Sequence, residues 1–183
     1  MENIIYRNLT IEECVRIKEM NPYQYINRAW REVDGKRQLV EIDYHDTDWP
    51  NGYEHHYNDL KQTIMEGGIA IGAFNDNKLI SFITLNSTTF GCRYKHVLLD
   101  QLFVSLDSRG KGIGKKLFML SVEEAKKWKI DKLYICAGSA EETIAFYFAL
   151  GCKEAEEINK ELYESDPRDL QLDFEINKAI NMN

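Results

Sequence analysis

The stretch from Leu98 to Leu120, LLDQLFVSLDSRGKGIGKKLFML, limits what this chain can fold into more than any other. It begins as an apolar run with β-branched and aromatic residues, Leu98 to Leu106, the pattern of a buried strand. Asp107 and Ser108 break that pattern, and Arg109-Gly110-Lys111-Gly112-Ile113-Gly114 follows. A stripe of Ile113, Leu117, Leu120, Ala125 and Trp128 then falls at helical spacing. Strand, glycine-rich turn and helix start together make an anion site. Glycine lets the backbone approach a ligand closely, and the free N–H groups of a first helical turn point at negative charge. Arg109, Lys111, Lys115 and Lys116 add positive charge to the same turn. A phosphorylated cofactor fits this arrangement. The plainer alternative is a basic turn that only starts a helix.

Spacing separates the candidate cofactors. A Walker A loop needs Ser or Thr after Gly-Lys, and Lys116 follows Gly114-Lys115 here. The dinucleotide fingerprint Gly-x-Gly-x-x-Gly is absent, because Gly110, Gly112 and Gly114 fall at alternate positions. The segment instead resembles the acetyl-CoA loop of the GNAT superfamily of N-acetyltransferases, Gln/Arg-x-x-Gly-x-Gly/Ala, through Arg109, Gly112 and Gly114. A second element, Thr143 to Cys152 (TIAFYFALGC), resembles that family's Ala-x-x-Phe-Tyr-x-x-x-Gly-Phe helix end, with Cys152 in place of Phe. The run from Glu161-Leu162-Tyr163 to Leu170-Gln171-Leu172 is similar to a bacterial branch of the superfamily. Ala140 stands where many members have an Asn that helps hold the pantetheine, and Ser139, Glu142 or a backbone group are the substitutes at hand.

The resemblance implies an α/β (α+β) fold, the GNAT acyl-CoA N-acyltransferase fold, with a mixed central sheet flanked by helices. It also implies acetyl-CoA as cofactor and acyl transfer to an amine. The implied cofactor-binding residues are Leu102, Phe103, Val104 and Leu106 on the central strand, with Arg109, Gly110, Lys111, Gly112, Ile113, Gly114 and Lys115 in the loop. In the family that strand is splayed near its middle, and free amides, by position those of Phe103, Val104 and Leu106, bond the pantetheine and polarise the thioester. Tyr147 occupies the place of the tyrosine that protonates the leaving thiolate and also touches the cofactor. Packing in the core is its alternative role.

Such chemistry needs a base to take the amine's proton, a donor for the developing oxyanion and an acid for the thiolate. Asp100 lies four residues before Val104, where some relatives carry a Glu that serves as general base. A structural role for Asp100 is open too, as are Glu41, Asp43 or His45 as the base. From Gln38 to Leu60 there is no Lys or Arg, yet Glu41, Asp43, Asp46, Asp48, Glu54 and Asp59 are present, interleaved with Tyr44, Trp49, Tyr53 and Tyr57. Carboxylates beside aromatic faces suit an organic ammonium group, so Glu41, Asp43, Trp49 and Tyr53 are candidate acceptor contacts. A solvated acidic loop anchored by its aromatics is the other reading. His45, His55 and His56 do not suggest a metal site, because adjacent histidines on a strand or helix do not converge on one ion.

Composition bounds the rest. A chain of 183 residues suits one domain over 1–183, with an acceptor-side insertion at about 21–60 and an acetyl-CoA-binding core at about 98–152. A net charge of -7 argues against a nucleic-acid partner and is compatible with a cationic small-molecule or peptide amine. No apolar run is long enough to span a membrane. Met1-Glu2-Asn3 shows no export signal, and Cys14, Cys92, Cys136 and Cys152 form no Cys-x-x-Cys pair, so reduced thiols and a cytoplasmic setting are expected. A homodimer is compatible with the sequence. A non-catalytic acetyl-CoA-binding sensor or interaction module is the alternative function.

Along the chain, Asn3 to Asn8 reads as a strand, and Thr10 to Glu13 as a capping box opening a helix to about Met20. Val33-Asp34-Gly35-Lys36 signals a hairpin with arms Arg28 to Val33 and Arg37 to Ile42. A helix is expected over Glu54 to Glu66, a hairpin over Ile69 to Leu85, a loop over Ser87 to Tyr94 and a strand over Lys132 to Ala137. Ala140 to Leu150 should be helical. Leu170 to Ile176 alternates apolar with polar residues, so it is expected to be a strand with one wet face, paired with Cys152 to Glu156.

Overall fold

The computed structural model describes Asn3–Asn177. Met1 and Glu2, on which the expectation about an export signal partly rests, lie outside the described residues, as does the end of the chain after Asn177. The strands are β1 (Ile5–Asn8), β2 (Gln24–Val33), β3 (Lys36–Asp46), β4 (Ile69–Asn75), β5 (Lys78–Phe90), β6 (His96–Val104), β7 (Lys132–Ala137), β8 (Lys153–Glu154) and β9 (Leu170–Glu175). The α-helices are α1 (Tyr53–Met65), α2 (Ile113–Lys127), α3 (Glu141–Ala149) and α4 (Lys160–Ser165). Seven strands form one mixed sheet in the order β1-β4-β5-β6-β7-β9-β8, and β2-β3 stands apart as a two-stranded ribbon. This is the mixed sheet flanked by helices that the sequence implied.

Each face of the sheet buries its own apolar cluster. On one side, α2 and α3 bring Ile113, Leu117, Phe118, Val122 and Ile144 onto Ile83, Leu99, Leu133 and Ile135. On the other, α1 and a 3₁₀ helix at Glu12–Glu19 bring Leu60, Cys14 and Ile17 onto Phe74, Leu79 and Phe82. Burying these side chains stabilises the domain by roughly 1.5–3 kcal/mol each before the entropy of ordering them is subtracted.

Four local expectations change. The first helix is 3₁₀ rather than α, and only half of the capping box forms. Glu13 reaches back to the Thr10 amide at 3.2 Å, while the Glu13 amide bonds the Thr10 carbonyl, not its hydroxyl. The ribbon arms run well beyond the expected hairpin, around a tight turn with Asp34 and Gly35 at φ 51° and 71°. The segment expected as a loop after Ser87 continues β5 to Phe90, which faces His96. Finally, β9 has no wet face. It is an interior strand, with Gln171 and Asp173 buried because β7 supplies their partners. Tyr134 Oη donates to Gln171 Oε1 at 2.9 Å, and Lys132 Nζ to Asp173 Oδ2 at 2.8 Å.

The feature that positions the site is a defect in the sheet. Strands β6 and β7 are parallel and pair only at His96–Lys132, Val97–Leu133 and Leu98–Tyr134. Beyond that point β6 follows β5, β7 follows β9, and a gap opens between them.

Candidate active site

The gap lies where two parallel strands end and each feeds a helix, β6 into α2 and β7 into α3. That is where open α/β sheets bind ligands. Gly110 and Gly112 bend the loop before α2 with φ of 75° and 77°, in the left-handed region where other residues are strained. No atom lies within 4 Å of the place a Cβ would take at either glycine, so the loop presents bare backbone to open space. Gly112 caps α2, and the amides of Ile113, Gly114 and Lys115 have no acceptor inside the helix. Gly114 serves packing instead. A side chain there would meet Phe146 and Val104 at 3.4 Å, so its absence brings α2 close to α3 and β6. These groups fit a diphosphate: bare amides, a helix N-terminus and nearby lysines.

Two expectations about this cradle need correction. Arg109 does not point outward as a free cation. Its Nε donates to the Val104 carbonyl at 3.0 Å and its Nη2 reaches the Pro22 carbonyl at 3.5 Å, so the side chain braces the loop against the end of β6. The amides of Phe103 and Leu106 are not free either. Leu106 N donates to the Asn21 carbonyl at 3.0 Å. Gln101 N bonds Thr84 Oγ1 and Ser105 N bonds the Ile80 carbonyl, both on β5. Backbone alternation turns the Phe103 amide the same way and directs those of Leu102 and Val104 into the gap.

The acceptor side is shaped by a β-bulge. Leu99 faces Leu85 and Leu102 faces Ile83, so β6 carries an extra residue between them. As a result Asp100 and Gln101, neighbours that would alternate in a regular strand, both turn toward α1. Gln101 meets His56 at 3.0 Å, and His56 Nε2 donates to the Pro50 carbonyl at 2.6 Å. With Nε2 donating, His56 Nδ1 accepts, and the Gln101 amide satisfies both groups by presenting its NH2 there. Asp100 faces Asp59 and His55 of α1. The residue is exposed at the surface, while protein packs around much of its carboxyl. Burial, reinforced by Asp59 and opposed by His55, pushes its carboxyl up to about 6. No described donor reaches it, so the structure supplies no bond for a purely structural role.

Cys136 of β7 lies two residues past the last β6–β7 pair, as Asp100 does on β6. Its Sγ donates to Gln171 Oε1 at 3.3 Å, and burial, aided by the Asp169 and Asp100 carboxylates, pushes the thiol up to about 12. Asp169, just before β9, is also unpaired, and burial together with Asp166 pushes it up to about 6, against Arg168.

The candidate acceptor residues do not come together. Trp49 is 5% exposed and packs against His56, Phe82 and Phe103, so it belongs to the core and is not free to meet an acceptor. Tyr53 stacks on Tyr57 and reaches the Val15 carbonyl at 3.4 Å, anchoring α1 to the 3₁₀ helix. Asp43 accepts from Tyr25 Oη at 2.9 Å on the ribbon, where His45 Nδ1 meets Tyr23 Oη at 2.7 Å. Glu41 is exposed on β3 and pairs across from Arg28. The acidic run thus divides among ribbon, core and helix, and only Asp59 from it faces Asp100. His55 and Asp59, 3.3 Å apart one helical turn from each other, were visible as an i,i+4 pair. Cys136 and Asp169 gave no local signal.

Tyr147 sits on the buried face of α3 against Phe118 and Phe146. Burial raises its hydroxyl pKa further above neutrality. That hydroxyl has no hydrogen-bond partner, yet the sealed and unpartnered side-chain atoms among the described residues are those of His96 and Gln101 alone, so the Tyr147 hydroxyl keeps some access. The ribbon closes over the start of α3. Ala29 bridges Ala140, Arg31 Nη1 donates to Ser139 Oγ at 2.6 Å, and Arg28 holds Glu141 at 2.7 and 2.8 Å. Ser139 is therefore spent on the ribbon, and Ala140 is covered by it. Among the described residues no helix is long and apolar enough to cross a membrane.

The model of the acetyltransferase (GNAT) family matches residues 39–152, which span the ribbon end, α1, the loop and α3. A search of curated proteins finds no sequence match. Among solved structures, nourseothricin acetyltransferase superposes with a TM-score of 0.72 at 16% identity, covering 94% of this chain and 98% of its own. A putative streptothricin acetyltransferase from Bacillus anthracis, in complex with acetyl coenzyme A, gives 0.65 at 15% identity, with 94% and 95% covered. The PaiA N-acetyltransferase from Thermoplasma acidophilum, in complex with coenzyme A, gives 0.61 at 18%, with 94% and 99% covered.

Proposed function

The chain belongs to the GNAT acetyltransferase family, and from that premise we propose that it transfers an acetyl group to a primary amine of a small cationic molecule or peptide. The acyl donor is acetyl-CoA, which supplies the acetyl group activated as a thioester. The observation that carries the reading is the β6–β7 gap, with bare loop amides before α2 and an unpaired carboxylate, Asp100, on β6 just past the last β6–β7 pair.

The residues divide the work. The backbone at Gly110 and Gly112 and the amides of Ile113, Gly114 and Lys115 would hold the diphosphate, with Lys111 and Lys115 adding charge. The Leu102 and Val104 amides would donate to the thioester carbonyl oxygen. Asp100, with its carboxyl near 6, is ionised at neutral pH and basic enough to take a proton from an incoming ammonium. Tyr147 keeps its hydroxyl proton through the neutral range, as an acid for a leaving sulfur must. The negative floor formed by Asp100 and Asp59 favours a cationic acceptor.

Incubation with acetyl-CoA and a panel of primary amines tests this reading. Release of free thiol together with an amine product heavier by one acetyl group is the expected result. Tight acetyl-CoA binding with no turnover on any amine would favour the non-catalytic sensor instead.

A further inference from the structure

A cavity of about 280 Å³ lies between the ribbon tip, β8, α4 and the start of β9. Its lining includes Arg37, Glu154, Ile158, Tyr163, Asp169 and Gln171. Gln171 forms the inner end and is fully engaged, accepting from Tyr134 Oη and Cys136 Sγ while its Nε2 reaches the Asp169 carbonyl at 3.4 Å. Asp169 is left over. The cations nearest it are matched elsewhere, Arg168 with Asp166 at 3.2 Å and Arg37 with Glu154 at 3.3 Å. Cys136, bonded to Gln171, follows Tyr134 by two residues as Asp100 follows Leu98, the last β6–β7 pair, and the carboxylates of both Asp169 and Asp100 act on its thiol. Tyr163, 41% exposed, offers an aromatic face beside the carboxylate.

Resting on the acetyl-transfer reading, we propose that the acceptor carries two cationic groups, one brought to Asp100 for reaction and the other held by Asp169 in this cavity. An unpaired, half-enclosed carboxylate beside an aromatic wall suits an organic ammonium group. No described group of three His, Cys, Asp or Glu residues converges as a metal site would require. The reacting amine gives up its proton at Asp100, while the second ammonium keeps its own and serves only as an anchor. The acceptor class is a diamine or longer polyamine, and the separation of its amines decides how well both carboxylates are used.

The test uses the full chain, saturating acetyl-CoA, and α,ω-diaminoalkanes of increasing length beside the monoamines of equal length. Thiol release gives kcat and KM for each. One diamine length should show a KM roughly tenfold or more below that of its monoamine. In Asp169→Asn that gap should close, with KM moving more than kcat, and Asp169→Glu should restore much of it. The diamine advantage should also fade below pH 6, as Asp169 takes up its proton. Turnover that persists while diamines and monoamines behave alike would overturn the second anchor and leave acetyl transfer standing. If no amine is acetylated, isothermal titration of the diamines into the acetyl-CoA-bound chain decides. Tighter diamine binding that is lost in Asp169→Asn supports the anchor, and indifference to chain length and to the substitution overturns it.

Discussion

Replacing Asp100 with Asn should move stability and turnover in opposite directions. The carboxyl sits at about 6 in the fold against 3.8 unperturbed. Between those values the folded chain holds a proton that the unfolded chain has released, so stability falls as pH rises through this window and stays lower above it. The displacement corresponds to about 3 kcal/mol of penalty on the ionised form. One edge of the carboxylate meets solvent, and screening reduces the effective cost to about 1 kcal/mol. Asn has nearly the same shape and no charge, and Asp100 accepts no hydrogen bond that would be lost. At pH 8 Asp100→Asn should therefore melt about 2–4 °C above the wild type, and the advantage should vanish near pH 4. Turnover should drop by about 10²- to 10⁴-fold, the usual contribution of a general base. The wild-type rate should fall on acidification with a midpoint near 6, and the variant should lack that limb. Scanning calorimetry at the two pH values and thiol release across pH measure both effects. A variant that melts lower at pH 8, or that turns over like the wild type, would refute the assignment.

Other substitutions address separate parts of the argument. Tyr147→Phe should lower kcat by about 10²-fold while isothermal titration finds acetyl-CoA binding little changed. Gly112→Trp should abolish the heat of acetyl-CoA binding, because the indole fills open space before the loop, and its left-handed backbone adds about 1–2 kcal/mol of strain. Asp173→Asn strands the Lys132 ammonium, 4% exposed as a residue, and should cost about 3–5 kcal/mol in urea denaturation. His96 is fully buried, and burial lowers its pKa from 6.5, with Lys132 adding to the effect while Asp173, Glu157 and the Tyr94 backbone oppose it. Unfolding thus takes up a proton as pH falls below 6.5, and His96→Phe, stacked on Phe90 and edge-on to Tyr134, should lose less melting temperature between pH 7.5 and pH 5.

What the sequence made legible was local. Leu98 to Leu120 encodes strand, turn and helix through hydrophobic period and glycine placement, and each of these forms where the pattern puts it. The direction of the Arg109 side chain was not legible, because it depends on a carbonyl freed where β6 parts from β7. Nor was the buried second face of β9, since alternation of Leu170, Leu172 and Phe174 with Gln171 and Asp173 reads the same at an edge as beside a strand that supplies Lys132 and Tyr134. Trp49 looked like an acceptor contact because carboxylates flank it in sequence. In three dimensions the backbone turns that indole onto Phe82 and Phe103 and leaves the carboxylates outside.

The acidity that matters for an amine is gathered across the fold and is absent from the most acidic stretch of sequence taken alone. Asp59 comes from α1, Asp100 from a bulge on β6 and Asp169 from the approach to β9. Asp59 and Asp100 come together because the bulge turns Asp100 to the α1 side, and Asp169 joins them only through Cys136 of β7, whose thiol feels both Asp100 and Asp169. A regular β6 would alternate Asp100 and Gln101 between faces, losing either the carboxylate or the His56 bond from this floor. Thr84 Oγ1, which accepts the Gln101 amide inside the bulge, is therefore a positioning group whose loss should move Asp100 without touching any ligand. Thr84→Val keeps the volume and removes that acceptor. If the bulge sets the base, this change should shift the acid limb of the rate away from pH 6 and lower kcat, with acetyl-CoA affinity unchanged. An unaltered pH profile would show that pairing with β5 alone holds the bulge.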